Sequence, residues 1–224
     1  MLGYALYALL CGAGIAVPTD KELPDNELEN LMRRSGARAI IFSSKKKDAV
    51  KKAAAHCPNM KYCIEMRAEY KEAGQFIGFD FLREEGKVFT ELGDTSLMDK
   101  EIDPDAFAVL IFTSGTTSAA KGVMISNRNL AANINAVTPY VHLTPDDRLF
   151  SVLPLHHTYE STIGFLYPMA IGASVVVCQG LKHIVGDMQT THPTAMIAVP
   201  LLIETLHKKI QKNIEKAGKD SMVK

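Results

Sequence analysis

Short apolar runs alternate with helical patterns along this chain, and that alternation limits its fold more than any other feature. A short apolar run rich in β-branched side chains is typical of a buried strand. Such runs predict strands at 37–43, 60–65, 107–112, 148–153, 173–178 and 195–199. Helical periodicity predicts helices at 45–56, 126–137, 161–171, 180–191 and 201–217. Strands that alternate with helices imply βαβ units, so we predict an α/β fold, a layered domain with a mainly parallel sheet flanked by helices.

Three segments carry more specific expectations. The run 107–112 is apolar at nearly every position, which favours a parallel strand covered on both faces. Residues 1–17 are apolar, but they lack a basic start and are too short to span a bilayer. A buried helix followed by a strand at 15–17 is therefore predicted there. Between 69 and 97, three glycines favour a helix and loops over one long helix, namely Gly74, Gly78 and Gly86.

A hydroxyl-rich loop follows the strand at 107–112. Five of the six residues from 113 to 118 carry a hydroxyl group, and Gly115 is the sixth. Hydroxyls donate hydrogen bonds to phosphate oxygens, glycine lets the backbone approach a ligand closely, and successive N–H groups can form an anion-binding nest. Lys121 adds a positive charge at the end of the loop. This combination indicates binding of nucleotide phosphates and chemistry on ATP.

Two other interpretations of this loop were weighed. The Walker A pattern requires a lysine followed at once by Ser or Thr, whereas Lys121 is followed by Gly122. That spacing excludes a P-loop NTPase. The second alternative is a surface turn whose hydroxyl groups cap the next helix. The density of hydroxyls between an apolar strand and a Lys-Gly step favours the phosphate loop.

The segment 113–122 resembles the phosphate loop of the adenylate-forming enzymes, which include acyl-CoA synthetases, luciferases and peptide-synthetase adenylation domains. Ala119 and Ala120 occupy places where the family often has a glycine and a proline. The segment 153–160, Leu-Pro-Leu-His-His-Thr-Tyr-Glu, is similar to the family's second core motif and is most like long-chain fatty acid CoA ligases. The resemblance covers essentially the whole chain. It implies the fold of an acetyl-CoA synthetase-like N-terminal domain.

The resemblance also implies a reaction and its residues. The reaction converts a fatty acid, ATP and coenzyme A to acyl-CoA, AMP and pyrophosphate through an acyl-adenylate. The residues implied to hold the β- and γ-phosphates are Thr113, Ser114, Gly115, Thr116, Thr117 and Lys121. Thr116 is also implied to lie near Mg²⁺, and His157 beside the acyl carboxylate and the α-phosphate. The alternative for His156 and His157 is a pair of loop histidines bonded to the backbone.

The same resemblance sets expectations for domain organisation. We expect residues 1–224 to be a single α/β domain and a central fragment of the AMP-binding N-terminal domain. The family's aromatic-Gly-x-Thr-Glu motif does not occur in these 224 residues. A C-terminal domain that carries a catalytic lysine is not found either. The fragment is therefore expected to lack turnover and to bind nucleotide weakly. A non-catalytic nucleotide-binding or scaffold protein and an amino-acid-adenylating domain of a peptide synthetase remain alternatives.

The amino-acid composition limits the classes of molecule that the protein is expected to bind. The 25 basic residues balance the 25 acidic ones, which argues against a nucleic-acid surface. The four cysteines form no C-x-x-C pair, so free thiols in a cytoplasmic protein are expected. No transmembrane segment is expected. Self-association through an exposed sheet edge is expected.

Several other residues receive structural interpretations. Ser126 is expected to cap the helix that follows it, and Glu160 to lie in the first turn of a helix with no metal role. The lysines at 45–47 and 51–52 are expected to form a solvated helix face. Core packing is expected for the methionines, including Met124, Met169 and Met196.

Overall fold

A computed structural model of the chain describes residues 2–70, 74–113 and 120–216. These residues form an α/β structure in which two three-stranded sheets are parallel and one two-stranded sheet is antiparallel. The fold class predicted from the sequence is therefore confirmed. The chain divides between Ala131 and Ala132 into two compact units. The expectation of a single domain stays a prediction.

The first unit carries five helices and five strands within its described residues. In chain order they are α1 (Leu2–Ala8), α2 (Asp25–Ser35), β1 (Ala39–Phe42), α3 (Lys47–Ala55), β2 (Tyr62–Glu65), β3 (Phe76–Gly78), α4 (Phe79–Glu91), β4 (Phe107–Thr113), β5 (Lys121–Ser126) and the start of α5 (Asn127–Val137). A π-type turn (Leu9–Ala13) follows α1, and a 3-10 turn (Ser44–Lys46) precedes α3.

Helices α2 and α3 pack on the parallel sheet β1-β2-β3. Leu28, Leu31 and Met32 recur at helical spacing on one face of α2, and this face is buried. Val50 on α3 and Cys63 on β2 are fully buried in the same cluster. The α2 helix was not predicted from the sequence. It ends at Gly36, whose left-handed backbone (φ 62°) turns its N–H toward the last carbonyls of the helix.

Strand β4 does not lie in a parallel sheet, contrary to the prediction from its apolar run. It pairs antiparallel with β5 along its length, from Phe107 opposite Ser126 to Thr113 opposite Lys121. An isolated parallel bridge joins Val109 to Ala16. The prediction was wrong because the short Val-Met-Ile run in β5 was not identified as a strand, although it supplies a hairpin partner.

Two further predictions for the first unit are corrected. Helix α1 is not buried, since Tyr4 and Tyr7 expose 80% and 48% of their surface. Gly86 does not break the segment after residue 69, because α4 runs through it for 13 residues. A glycine inside a helix weakens it by only about 1 kcal/mol relative to alanine, which the rest of α4 offsets.

The second unit is built on the parallel sheet β7-β6-β8. After the remainder of α5 its described elements are β6 (Arg148–Ser151), a π-helix (Glu160–Leu166), α6 (Tyr167–Ala170), β7 (Ser174–Val177), α7 (Ile184–Thr191), β8 (Ala195–Met196) and α8 (Pro200–Lys216). Phe150 on β6 is fully buried and packs with Ile184 and Leu202. All of these strands and helices match segments predicted from the sequence, although the π-helix and α8 each begin one residue earlier than predicted.

Smaller predictions have mixed outcomes. All four cysteines are free thiols, as expected. Met124 on β5 and Met169 on α6 are 72% and 42% exposed rather than packed in the core. Met196 is half-buried against the cluster around Phe150. Among the residues that the structure describes, no helix is both long enough and apolar enough to cross a bilayer.

Candidate adenylation site

The β4–β5 hairpin holds the two ends of the hydroxyl-rich loop side by side. Thr113, the last residue of β4, lies directly opposite Lys121, the first residue of β5. The Thr113 hydroxyl oxygen lies 3.5 Å from the Lys121 carbonyl oxygen, and both side chains are exposed. The other predicted phosphate ligands, Ser114, Gly115, Thr116 and Thr117, lie outside the described residues.

A second cation, the guanidinium group of Arg34, lies at the loop end of the same hairpin. The guanidinium group of Arg34, near the end of α2, donates a hydrogen bond to the Ala120 carbonyl oxygen over 2.6 Å. Its central carbon lies 5.2 Å from the centroid of the Phe112 ring, which is cation–π geometry. Arg34 therefore touches residues on both sides of the loop. Sequence reasoning missed it because the contact joins residues 86 positions apart.

The histidine motif forms a turn at the end of β6, in the second unit. The backbone N–H of His157 donates to the Pro154 carbonyl, and the Ser161 N–H donates to the His157 carbonyl, each over 3.0 Å. The rings of His156 and His157 lie 4.2 Å apart at 45°. His156 is half-buried and His157 is exposed. The motif thus presents the predicted catalytic imidazole to solvent on a backbone-anchored turn.

Glu160, immediately after this turn, lies in the first turn of the π-helix as expected, and it is buried. Its carboxyl group is 0% exposed, and Oε1 accepts a hydrogen bond from the Ser151 hydroxyl over 2.5 Å. Oε2 has no hydrogen-bond partner among the described residues. Burial raises the pKa of the carboxyl group, and the Ser151 hydrogen bond opposes that rise. The burial of this carboxyl group could not be predicted from the sequence, since an acidic residue before an apolar helix is also typical of a solvated helix start.

A polar cluster at the carboxyl end of β2 corrects the expectation of a fully solvated lysine face. The Lys47 ammonium lies 3.2 Å from a Glu65 carboxylate oxygen and donates to the Tyr70 hydroxyl over 3.1 Å. The Tyr70 hydroxyl donates to the same Glu65 oxygen. This hydrogen bond, with help from Lys47, lowers the pKa of Glu65 below its usual value. Lys45, Lys51 and Lys52 are exposed as expected.

The described residues do not fit a magnesium site by themselves. Within residues 2–70, 74–113 and 120–216, no group of three or more His, Cys, Asp or Glu side chains converges as metal ligands would. The implied ligand, Thr116, lies outside those ranges. At the hairpin, the described residues supply a hydroxyl group from Thr113 and positive charge from Lys121 and Arg34.

Comparisons with known proteins identify the family. The sequence profile of the AMP-binding enzymes matches residues 3–222. Probable acyl-activating enzyme 16 of Arabidopsis thaliana is 30% identical over 188 residues, which are 83% of this chain and 24% of the relative. Long-chain-fatty-acid–CoA ligase ACSBG2 of Homo sapiens is 31% identical over 162 residues, which are 70% of this chain and 24% of the ligase.

A solved structure supports the same fold. The structure of the anthranilate CoA ligase AuaEII with anthranoyl-AMP superimposes with a TM-score of 0.73 at 20% identity. The match covers 86% of this chain and 36% of that protein. The chain thus spans about a quarter of the length of these two curated relatives, at 24% of each. The chain therefore belongs to the family of AMP-binding enzymes.

Proposed function

We propose that this chain supplies the triphosphate-binding part of an ATP-dependent acid–thiol ligase. In the proposed reaction a carboxylate oxygen attacks the α-phosphorus of ATP, and pyrophosphate leaves. The sulfur of coenzyme A then attacks the acyl carbon of the adenylate and AMP leaves. The observation that carries the proposal is the pairing of Thr113 with Lys121, which holds a lysine at the mouth of a hydroxyl-rich loop.

The hairpin is proposed to stabilise the leaving pyrophosphate by charge. Little covalent work falls to the protein in such a reaction, so positioning and electrostatic stabilisation account for most of the rate. The Lys121 ammonium opposes the negative charge that grows on the β- and γ-phosphates, and the Thr113 hydroxyl donates to a phosphate oxygen. The proposed partners within the loop are Ser114, Gly115, Thr116 and Thr117, with Thr116 also near Mg²⁺.

His157 is proposed to act on the acyl group. Its exposed imidazole stands on a turn held by two backbone hydrogen bonds, so it can meet a carboxylate without rearrangement of the turn. An imidazole N–H donor stabilises the negative charge of the entering carboxylate and of the α-phosphate. The neighbouring His156 ring limits the orientations that the His157 ring can adopt.

A long-chain fatty acid is the proposed acid, and coenzyme A the proposed acceptor. The support is the 31% identity to the human long-chain fatty acid CoA ligase. The likeness to an anthranilate ligase is a likeness of fold and favours no particular acid. A cytoplasmic location is also proposed, and the free thiols of the four cysteines support it.

The direct test is ATP–pyrophosphate exchange by the full-length protein, with fatty acids and amino acids offered in parallel. Exchange with fatty acids alone supports the proposal, and exchange with amino acids alone supports a peptide-synthetase domain. No exchange with any acid would favour a scaffold. The present 224 residues should give no acyl-CoA by themselves.

A pair of lysine variants tests the role of the hairpin. Lys121→Ala should lower exchange by about a hundredfold, in the range seen when one transition-state charge donor is removed. Lys51→Ala, which removes an exposed lysine from α3, is the matched control and should behave as wild type. Equal exchange by the two variants would contradict the proposed role of Lys121.

Self-association is proposed through the outer edge of β5. Among the described residues β5 pairs only with β4, and its Val123 and Met124 side chains are 44% and 72% exposed. An unpaired apolar strand edge can pair with a second copy. Sedimentation at high concentration should detect a dimer that Met124→Lys weakens; monomer at every concentration would argue against this interface.

A further inference from the structure

The buried carboxyl group of Glu160 is the most unusual polar group in the described part of the chain. It is 0% exposed and accepts one hydrogen bond, from the Ser151 hydroxyl over 2.5 Å. Oε2 is the one buried side-chain polar atom without a hydrogen-bond partner among the described residues. A buried polar atom without a partner costs stability, so a fold that retains one calls for an explanation.

The surroundings of Glu160 favour a neutral carboxylic acid over a carboxylate. No Lys, Arg or His side chain forms an ion pair with Glu160 in the described residues. An ionised carboxylate that is fully buried without a cation carries a desolvation cost that a single hydroxyl donor does not offset. A protonated carboxyl group avoids that cost because it carries no charge. The ionisable residues next to it in the sequence, His157 and Tyr159, have exposed side chains.

The Ser151–Glu160 contact closes the turn that carries the histidines. Ser151 is the last residue of β6, and Glu160 is the first residue of the π-helix. The eight residues between them include His156 and His157. The hydrogen bond therefore joins the two fixed ends of the histidine turn. A π-helix at this place fits the pattern that such turns occur frequently at functional sites.

Gly164 completes the seat of the carboxyl group. A Cβ atom at position 164 would lie 2.6–2.8 Å from the carboxyl carbon and both carboxyl oxygens of Glu160. The carboxyl group thus packs flat against the backbone of the next helical turn, and only glycine leaves room for it. Three buried groups from β6 and the π-helix, the side chains of Ser151 and Glu160 and the backbone of Gly164, fit together at one point.

We propose that Glu160 is a positioning residue that carries its proton at neutral pH and, through Ser151, fixes the turn that presents His157 to the acyl carboxylate. The inference rests on the proposed adenylation function for its catalytic consequence. The protonated state and the closed turn do not depend on that function. They can be measured on the protein directly.

Infrared spectroscopy tests the proton. The full-length protein at neutral pH should show the carbonyl stretch of a protonated carboxylic acid, and Glu160→Gln should abolish it. Glu84→Gln is the control, because Glu84 is exposed and paired with Lys87, and this variant should leave the band in place. Absence of the band from the wild type, or its persistence in Glu160→Gln, would overturn the assignment of the proton.

Nuclear magnetic resonance and kinetics test the positioning role. Glu160→Gln keeps a neutral hydrogen-bonding group, so the imidazole resonances of His157 and kcat for pyrophosphate exchange should stay close to wild type. Glu160→Ala should shift those resonances and lower kcat by about tenfold or more while KM for ATP stays unchanged, because a small misplacement of a reacting group is costly. Ser151→Ala should shift the same resonances in the same direction. If Glu160→Ala does not fold, Ser151→Ala provides the test of positioning.

The outcomes separate the two levels of the proposal. If Glu160→Gln is as impaired as Glu160→Ala, a charged carboxylate is required and the inference is wrong. If Glu160→Ala and Ser151→Ala leave the His157 resonances unchanged, the carboxyl group does not position the turn. If wild-type protein shows no exchange, the proposed function fails, while the infrared band and the resonances still decide the state of Glu160.

Discussion

The guanidinium group of Arg34 donates a hydrogen bond over 2.6 Å to the carbonyl oxygen of Ala120, the residue immediately before Lys121. The same group lies over the ring of Phe112, the residue immediately before Thr113. One side chain from α2 therefore contacts β4 and the residue that precedes β5, on both sides of the proposed phosphate loop. This arrangement fixes the two ends of the loop and adds positive charge beside Lys121.

Replacing Arg34 should destabilise the loop end of the hairpin, where its contacts lie. Arg34→Met should lower the free energy of unfolding by about 1 kcal/mol, the scale of one exposed hydrogen bond together with one exposed cation–π contact. Arg34→Lys should recover part of the loss, because a lysine keeps the charge but not the planar group. Urea unfolding measures the stability of each variant, and titration with nucleotide measures its affinity for the nucleotide. Arg33→Met, on the neighbouring exposed position, is the control, and an equal effect of both variants would refute a specific role for Arg34.

The cluster of Lys47, Glu65 and Tyr70 should make stability depend on pH in the acid range. The pKa of Glu65 is lowered in the folded state, so its stabilising contribution is present above its usual value of 4.5 and is lost as the pH falls through the lower, folded value. Glu65→Gln should therefore cost about 1–3 kcal/mol at neutral pH, the scale of charge-assisted hydrogen bonds, and much less at pH values below the folded pKa.

Urea unfolding of Glu65→Gln and wild type across this pH range measures the effect. Glu85→Gln, on the exposed face of α4, is the matched control. A difference between wild type and Glu65→Gln that stays constant from neutral to strongly acid pH would contradict the linkage.

Two glycines inside helices should respond to alanine with opposite signs. Gly86 faces open space in α4, so Gly86→Ala should stabilise the protein by about 0.5–1 kcal/mol through helix propensity. A Cβ atom at position 164 would lie 2.6 Å from the carboxyl carbon of Glu160, so Gly164→Ala should destabilise the protein by about 1–3 kcal/mol through overpacking. Thermal unfolding checks both variants. Glu160→Ala in the Gly164→Ala background should relieve part of the loss, and strictly additive effects would exclude this clash.

The start of α5 should depend on a reciprocal cap. The Ser126 N–H donates to the Asn129 side-chain oxygen over 3.0 Å, and the Asn129 N–H donates to the Ser126 hydroxyl over 3.3 Å. Ser126→Ala should cost about 1 kcal/mol of stability. Because both bonds belong to one motif, Ser126→Ala and Asn129→Ala should together cost less than the sum of their single effects. Chemical denaturation of the wild type, the two single variants and the double variant measures these effects. Additive effects would refute the cap.

The two buried cysteines should resist thiol reagents. Burial raises the pKa of Cys63 to about 11, and burial also raises the pKa of Cys57. A thiol rather than a thiolate is then present at mildly alkaline pH, and access is closed as well. Mass spectrometry after brief treatment with iodoacetamide should find Cys11 alkylated before Cys63. Rapid alkylation of Cys63 in the folded protein would contradict its burial.

Local patterns were enough to predict most of the second unit. The Val-Val-Val run of β7 and the alternation of short strands with helices identified its parallel sheet, because each signal lies within a few adjacent residues. The cap at Ser126 was predicted for the same reason. The antiparallel β4–β5 pairing was not, since a continuous apolar run is compatible with a buried strand in either kind of sheet.

The residues that sequence reasoning missed depend on contacts between distant elements. Arg34 is an ordinary basic residue in the last turn of a helix until the fold brings Ala120 and Phe112 beside it. Glu160 is an ordinary helix-start acid until Ser151 and Gly164 enclose it. Thr113 and Lys121 were predicted from the chemistry of the hydroxyl-rich loop and from the motif resemblance, and His157 from the resemblance. Their roles stay predictions.

The strand register at the mouth of the hydroxyl-rich loop has a consequence for engineering. Thr113 and Lys121 are fixed opposite each other by the β4–β5 ladder, so residues inserted between them would lengthen the connection and leave both anchor points in place. A shift of the ladder by one residue would instead turn the lysine to the opposite side of the ribbon. The strand pairing should therefore survive changes in the length of this loop, whereas it should not survive deletions inside either strand.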